Sequence, residues 1–535
     1  MAYIGKNIIE NLTTAMYENL RIVYREYIQN SADGIDKAVS AGILQPKDAS
    51  IFITIEPQNR KIIIEDNGYG IPKANFKKIM ESIADSQKSV DNNKGFRGIG
   101  RLGGISVCDE LRFITSAKGE NVESVCIWNA KLIKDILADH DNKIDASSLV
   151  DKSTSYKENS CEKEDHYFKV ELIKVGRNAE DLLNVEAVRD YISAIAPVPY
   201  SSGFCYKDPI RKYAANNGFN IDEYRVLINE EQIFKPYVTD LYRPVGTSGK
   251  KEKYDSIYGV KFEMFVDDND KPIAWMWYGI SNFEKKIPTI NQMRGLRLRK
   301  GNIQIGDENT LTKQEFFKEE RGNFYFVGEI FAVSPLLIPN ARRDYFNVND
   351  ECRFFEGCLK NLTYNVFYSI YHKANDIKKE LQRVQEYENA YREFNVNLAE
   401  GKFIDEASKN KAASELEAKK EKATKAKDIL QRQKEKCEGD DVFSRVYNEL
   451  NKKYPSKGLK VAEEPSNNEF DGNESTAGES TSKAKKKTSY RTQGLTKYGK
   501  KEQKLVSRIY KTIQAVLPPD QATCLIDKIQ EDLMK

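Results

Sequence analysis

Hydrophobic and polar positions change rhythm several times along the chain. Between Tyr17 and Val39 apolar side chains recur at three- and four-residue steps, which predicts a helix. Short alternating or continuously apolar runs predict strands at Ile51–Ile55, Lys61–Glu65, Glu110–Thr115 and Tyr167–Leu172. Residues 141–165 are polar and predict a loop or insertion. Helices, strands and glycine punctuation over residues 1–185 together predict an α/β or α+β domain.

A second region of this kind spans 186–350, with strand-like runs at Lys261–Val266, Ala274–Tyr278, Gly295–Arg299 and Phe324–Ile330. Beyond 350 helix formers dominate, giving a helical region over 351–461. There Ile377, Leu381, Val384, Tyr387, Tyr391, Phe394 and Leu398 form one apolar stripe, which predicts a helix packed on its own domain rather than a long coiled coil. Residues 405–438 read as a charged helix rich in Ala, Lys and Glu. The stretch 462–498 has too little apolar surface to fold alone and reads as a linker. Its basic residues Lys483, Lys485, Lys486, Lys487 and Arg491 fit a solvated tether, or a contact with nucleic acid or an acidic partner. The last segment, 499–535, carries Leu505, Ile509, Ile513, Val516, Leu525 and Ile529 around Pro518-Pro519, as a small helical hairpin or dimerisation element would.

At 535 residues the chain exceeds what one hydrophobic core organises. Its 84 Lys+Arg against 81 Asp+Glu leave a net charge of +3, too balanced for a general electrostatic role on nucleic acid or membrane. No apolar run approaches the roughly 18 to 20 residues needed to cross a bilayer, and the first residues lack an apolar leader, so a soluble, cytoplasmic protein is expected. Eight cysteines without a C-x-x-C pair and three distant histidines, His140, His166 and His372, give little support to a disulfide framework, a structural zinc site or a histidine triad.

Three segments carry chemistry. In Arg25-Glu26-Tyr27-Ile28-Gln29-Asn30-Ser31-Ala32-Asp33, the residues Glu26, Asn30 and Asp33 stand at i, i+4 and i+7 and share one helix face. A carboxylate and an amide oxygen so placed suit a water and a hard cation such as Mg²⁺; an ordinary solvated face looks the same. The apolar strand Ile62-Ile63-Ile64 then stops at Asp66-Asn67-Gly68-Tyr69-Gly70, where a carboxylate can accept from an exocyclic amine and glycines admit a flat ring, though a tight turn needs the same residues. Finally Gly95, Gly98, Gly100, Gly103 and Gly104 expose closely spaced amide donors suited to phosphate, with Arg97 and Arg101 adding charge.

In this order and spacing the segments resemble the GHKL ATPase superfamily, which includes gyrase, the ninety-kilodalton heat-shock chaperones, histidine kinases and MutL. The resemblance implies a Bergerat-type ATP-binding α/β sandwich, then a transducer-like α/β middle domain and a helical C-terminal region. It makes Glu26 the general base and Asn30 the Mg²⁺ ligand, with Asp33 the last polar position of the helix motif. Asp66 takes the adenine amine, Gly68 and Gly70 shape the base pocket, Gly95, Gly98, Gly100 and Gly103 form the lid and phosphate turn, and Thr115 completes the adenine side. Within the superfamily, Arg25–Asp33 is similar to the chaperones' R-E-L-I-S-N-S-S-D helix, and Ser82–Ser86 to their lid entry. Val333–Asp344 is similar to their catalytic loop, which makes Arg343 the γ-phosphate sensor with Arg342 in reserve. Asp85 stands where those chaperones carry Lys, Gly34 replaces their Ala, and Gly95-Phe96-Arg97-Gly98 also matches MutL.

The resemblance implies an ATP hydrolase that uses ATP and Mg²⁺ to drive a clamp-like change on a protein client or complex, as a homodimer or nucleotide-dependent dimer. A MutL- or MORC-like clamp on DNA is the alternative. A sensor histidine kinase fits poorly, because no histidine precedes the helix motif.

Overall fold

The computed structural model describes residues 4–13, 19–83, 100–246, 249–437 and 441–455, together with Val506, Ile509, Tyr510, Ile513, Leu525, Ile526 and Ile529. The chain divides into two units, Met1–Lys460 and Val461–Lys535.

The first unit opens with α1 (Asn7–Leu12), α2 (Ile22–Ser40), β1 (Ser50–Glu56), β2 (Lys61–Asp66) and α3 (Lys73–Glu81). There follow β3 (Glu110–Ser116), β4 (Val122–Trp128), α4 (Ala130–Ala138), α5 (Ala146–Ser153), β5 (Thr154–Ser160) and β6 (Tyr167–Ile173). Then come α6 (Val185–Ile195), α7 (Lys207–Asn216), β7 (Arg225–Ile228) and β8 (Glu231–Gln232). The eight strands form one sheet in the order β5-β4-β3-β6-β2-β1-β7-β8, antiparallel except where β7 runs parallel to β1. Alternation in β1 turns Ile51, Ile53 and Ile55 into the core and leaves Phe52 exposed. The buried face packs on Tyr24, Ile28, Ala32 and Ile35 of α2 and on Val188 and Ile192 of α6. The opposite face carries cross-strand ion pairs, Lys61–Glu171 at 2.9 Å and Lys169–Glu65 at 3.0 Å.

Residues 141–165 depart from the loop expectation. They supply α5, capped by Asp145 accepting from the Ser148 amide at 3.0 Å, and the edge strand β5. Because β5 pairs on one side only and is largely exposed, it shows no apolar alternation for a sequence pattern to find.

The chain continues through β9 (Asp240–Val245) and β10 (Lys250–Ser256), a two-stranded pair, into β11 (Gly259–Val266), β12 (Pro272–Ile280), β13 (Gly295–Lys300), β14 (Ile303–Ile305), α8 (Thr310–Lys313) and β15 (Val327–Ala332). The second sheet runs β11-β12-β15-β13-β14 and is covered on both faces. Met276 and Tyr278 of β12 enter one core, while Trp275 and Trp277 enter another with Tyr200, Phe204 and Tyr237. This double burial explains why β12 reads as a continuous apolar run. The strand expected over Phe324–Ile330 begins at Val327, after a 3₁₀ turn over Glu320–Tyr325.

At the junction with α6 lies a fully buried polar network. Lys235 Nζ sits 3.0 Å from both Glu329 carboxylate oxygens and 2.8 Å from Asn302 Oδ1. The Arg299 guanidinium and the Tyr200 hydroxyl also donate to Glu329, and Arg299 reaches the Ala194 carbonyl of α6 at 2.9 Å.

α9 (Asp350–Asn361) passes through a π-helical segment, Leu362–Phe367, into α10 (Tyr368–Ala399), followed by α11 (Glu406–Cys437) and α12 (Asp441–Lys453). Ile377, Leu381 and Val384 pack as the stripe predicts, but Leu398 near the far end of α10 is exposed. In the second unit, buried Tyr510 and Ile526 cluster with Val506, Ile513 and Ile529. Residues 462–498 lie outside the described residues.

Candidate active site

Helix α2 is the spine of the site. Glu26 and Asp33 are buried on it, and Asn30, between them, is half-buried with no side-chain hydrogen bond among the described residues. Glu26 to Gly34 is eight residues, a span of about 12 Å along the axis.

At the Gly34 end, β2 delivers fully buried Asp66, whose Oδ1 accepts from the Gly68 amide at 2.9 Å. The Tyr69 amide donates to the Gly34 carbonyl at 3.0 Å, so the turn after β2 lies directly on α2. Glycine is required at both expected positions. A Cβ on Gly68 would come within 2.6 Å of Asp66 Oδ1 and of the Gly34 carbonyl carbon. Gly70 has φ +67°, and a Cβ there would fall 1.9 Å from the Ser116 carbonyl oxygen.

Thr115 is fully buried, and its hydroxyl is committed: it accepts from the Ile71 amide at 2.9 Å and donates to the Tyr167 carbonyl at 2.7 Å. These two bonds place Thr115 directly behind the turn that follows β2.

At the Glu26 end, Gly100 opens a 3₁₀ turn over Gly100–Ser106, and a Cβ there would lie 2.2 Å from Glu26 Oε2. The Tyr27 hydroxyl ties this turn to α2, donating to the Arg101 carbonyl at 2.9 Å and accepting from the Gly104 amide at 3.1 Å. Gly103 lies buried in the same turn, whereas Gly95 and Gly98 lie outside the described residues.

The other carboxylate oxygen faces cations. Arg343 Nε, from the loop after β15, is 3.5 Å from Glu26 Oε1, and the Arg25 guanidinium is 3.4 Å from the same atom. Arg343 adopts φ 55°, and its carbonyl accepts from the Gly306 amide at 2.8 Å, which anchors the loop while its side chain turns toward α2. Arg342 is exposed, and its carbonyl accepts from Arg25 at 3.2 Å. Thus Glu26, Arg343 and Gly100 come together, Asp66 and Gly68 lie against the Gly34 end of α2, and Gly70 lies against Ser116 and Tyr167. Arg25 and Tyr27 were missed as supports, although both stand inside the motif.

The residues fit a magnesium nucleotide. Asn30 offers an oxygen of the kind Mg²⁺ prefers, and the missing side chains of Gly68 and Gly100 let the backbone approach Asp66 and Glu26 closely. A separate cleft of about 1000 Å³ opens between the start of α2, α6 and residues including Arg297, Gln304 and Arg342, sharing Arg25 with the site but not Asn30 or Asp66.

Residues 8–167 match the family of histidine kinase-, DNA gyrase B-, and HSP90-like ATPases. The match covers the stretch that carries Glu26, Asn30, Asp66 and Thr115. Chaperone protein HtpG of Enterobacter sp. (strain 638) is 22% identical over 288 residues, 50% of this chain and 40% of that protein. HtpG of Clostridium botulinum (strain Langeland / NCTC 10281 / Type F) is 24% identical over 294 residues, 51% of this chain and 42% of that protein. HtpG of Orientia tsutsugamushi (strain Boryong) is 26% identical over 190 residues, 29% of this chain and 30% of that protein. The matched stretches span less than half the length of those proteins. Among the described residues no helix is long and apolar enough to cross a membrane.

Proposed function

We propose that the chain is a chaperone-like ATPase in which hydrolysis near Glu26 is coupled to the position of the loop carrying Arg343. The observation that carries this reading is the meeting of Glu26 on α2 with Arg343, 317 residues later in the chain, at 3.5 Å. Asn30 would hold Mg²⁺, with Asp33 on the same helix face, and Asp66 would accept the adenine amine between Gly68 and Gly70. Held by Asn30, Mg²⁺ would supply positive charge against the negative charge that builds up in phosphoryl transfer. Gly100 and Gly103 belong to the phosphate turn in this reading, to which the motif alone assigns Gly95 and Gly98, and Thr115 holds the purine side through the Ile71 amide.

Glu26 acts as the base, taking a proton from water at Oε2, the oxygen beside Gly100. Arg343 and Arg25 share Oε1. Their long contacts allow Arg343 to exchange a carboxylate for a phosphate oxygen at little cost, which links chemistry to closure of the middle region. A protein client fits the chaperone naming of the relatives, and we assign the work to a nucleotide-dependent dimer in the cytoplasm.

The test is nucleotide binding and turnover of Glu26→Ala, alone, with an unfolded model protein and with double-stranded DNA. The expected outcome is retained binding, turnover reduced about 10²- to 10⁴-fold, and wild-type stimulation by the unfolded protein. Robust hydrolysis by the variant rejects Glu26 as base, and stimulation by DNA alone rejects the client assignment.

A further inference from the structure

The turn after β2 is held from several directions. Asn67 Oδ1 accepts from the Ser50 amide at 2.9 Å, and Asn67 Nδ2 donates to the Asp48 carbonyl at 2.8 Å. The Ile71 amide is taken by Thr115. Between these anchors the Gly68–Tyr69 peptide is gripped at both ends, its N–H by the Gly34 carbonyl at 3.0 Å and its C=O by His166 Nδ1 at 2.8 Å.

Strand register explains why His166 is there. β6 runs antiparallel to β2 with Phe168 opposite Asp66, so continuing the pairing by two residues sets position 166 opposite position 68. Gly68 has no side chain with which to brace the turn, and none fits. A carbonyl only accepts, so Nδ1 carries the proton of this bond.

We propose that His166 is a positioning residue of the purine pocket. By fixing the Gly68 carbonyl it sets the plane of the Gly68–Tyr69 peptide and so restricts rotation at Gly68, whose N–H, in the preceding peptide, orients Asp66. This rests on the reading of Asp66 as the adenine acceptor. His166 thereby acts on nucleotide affinity and not on the chemical step, which lies at the other end of α2.

The test compares ATP affinity and turnover in the full chain carrying His166→Ala, His166→Gln or His166→Asn, with Asp66→Asn as control. An asparagine amide stands where Nδ1 stands and a glutamine amide does not. The Ala and Gln variants are therefore expected to weaken ATP binding and raise KM about five- to tenfold, with kcat within about twofold, and Asn is expected to restore both. Equal affinity in the Ala and Asn variants, or a fall in kcat at unchanged KM, overturns the proposal. If Asp66→Asn abolishes binding while His166→Ala binds as wild type, the purine-pocket reading stands and this inference falls. If the wild-type chain binds no ATP, both fall. Imidazole ¹⁵N resonances give a readout that needs no nucleotide: a proton on Nδ1 is expected, and a ring protonated at Nε2 alone overturns the proposal.

Discussion

Glu26 and Glu329 are both carboxylates set between two cations, yet they are built for opposite ends. Glu26 lies on α2 beside Gly100 and meets Arg25 and Arg343 at 3.4 and 3.5 Å, beyond the 2.7–2.9 Å of a strong charge-assisted bond. Glu329 lies inside the second sheet, wholly buried, with Lys235, Arg299, Tyr200 and Trp277 all donating to it. Burial pushes its carboxyl up, but Arg299 and Lys235 outweigh that and hold it down at about 2. A loosely held acid exchanges partners; a saturated one fixes the frame around it. The difference teaches that an arginine beside a glutamate marks neither function nor stability until distance, burial and the remaining donors are known.

The contrast breaks first at Glu26. Glu26→Gln should lower turnover about 10²- to 10⁴-fold and leave the thermal midpoint almost unchanged; a large drop in that midpoint would make this glutamate a structural one. Glu329→Gln should do the reverse, costing about 3–5 kcal/mol in urea unfolding, because Lys235 and Arg299 lose the charge that offsets their burial. Little change in the midpoint denaturant concentration would refute the saturated network.

Acid gives a third reading of the same carboxylate. Its folded value lies below its ordinary 4.5, so its stabilisation is complete above that value and is lost as pH falls toward about 2, a change on the order of 3 kcal/mol. Unfolding curves between pH 5 and 2.5 should show this loss in the wild type and a shallower one in Glu329→Gln. The smallest effect is expected at Thr115→Val, which leaves the Ile71 amide without its acceptor and should cost about 1–3 kcal/mol with weakened nucleotide binding. Unchanged melting and affinity would remove Thr115 from the support of the turn.

Much of the first sheet was legible because each of β1, β2, β3 and β6 has a one-sided or continuous apolar pattern that local spacing reveals. The polar face of α2 and the D-x-G-x-G turn were legible for the same reason, since their residues are neighbours in sequence. The edge strand β5 was not, because water on both sides removes the alternation. Lys235, Arg299 and Glu329 were illegible for a different reason: they are scattered over nearly a hundred residues, and only the sheet brings them to one point. His166 stood in plain view as an isolated histidine, and what gave it meaning was the register of β6 against β2. Arg343, with Arg342 in reserve, was singled out by the likeness of its loop, whereas its approach to Glu26 depends on a contact 317 residues apart that no local pattern reveals.

The parallel pairing of β7 with β1 has a practical consequence. A fragment cut after residue 185 would retain Glu26, Asn30, Asp66 and Thr115 yet forfeit the two strands that close that side of the sheet. The backbone groups of Ser50–Ile53 would then face solvent beside the outward ring of Phe52, an open invitation to self-association. Whoever trims this protein to its nucleotide-binding half should carry the chain past Gln232.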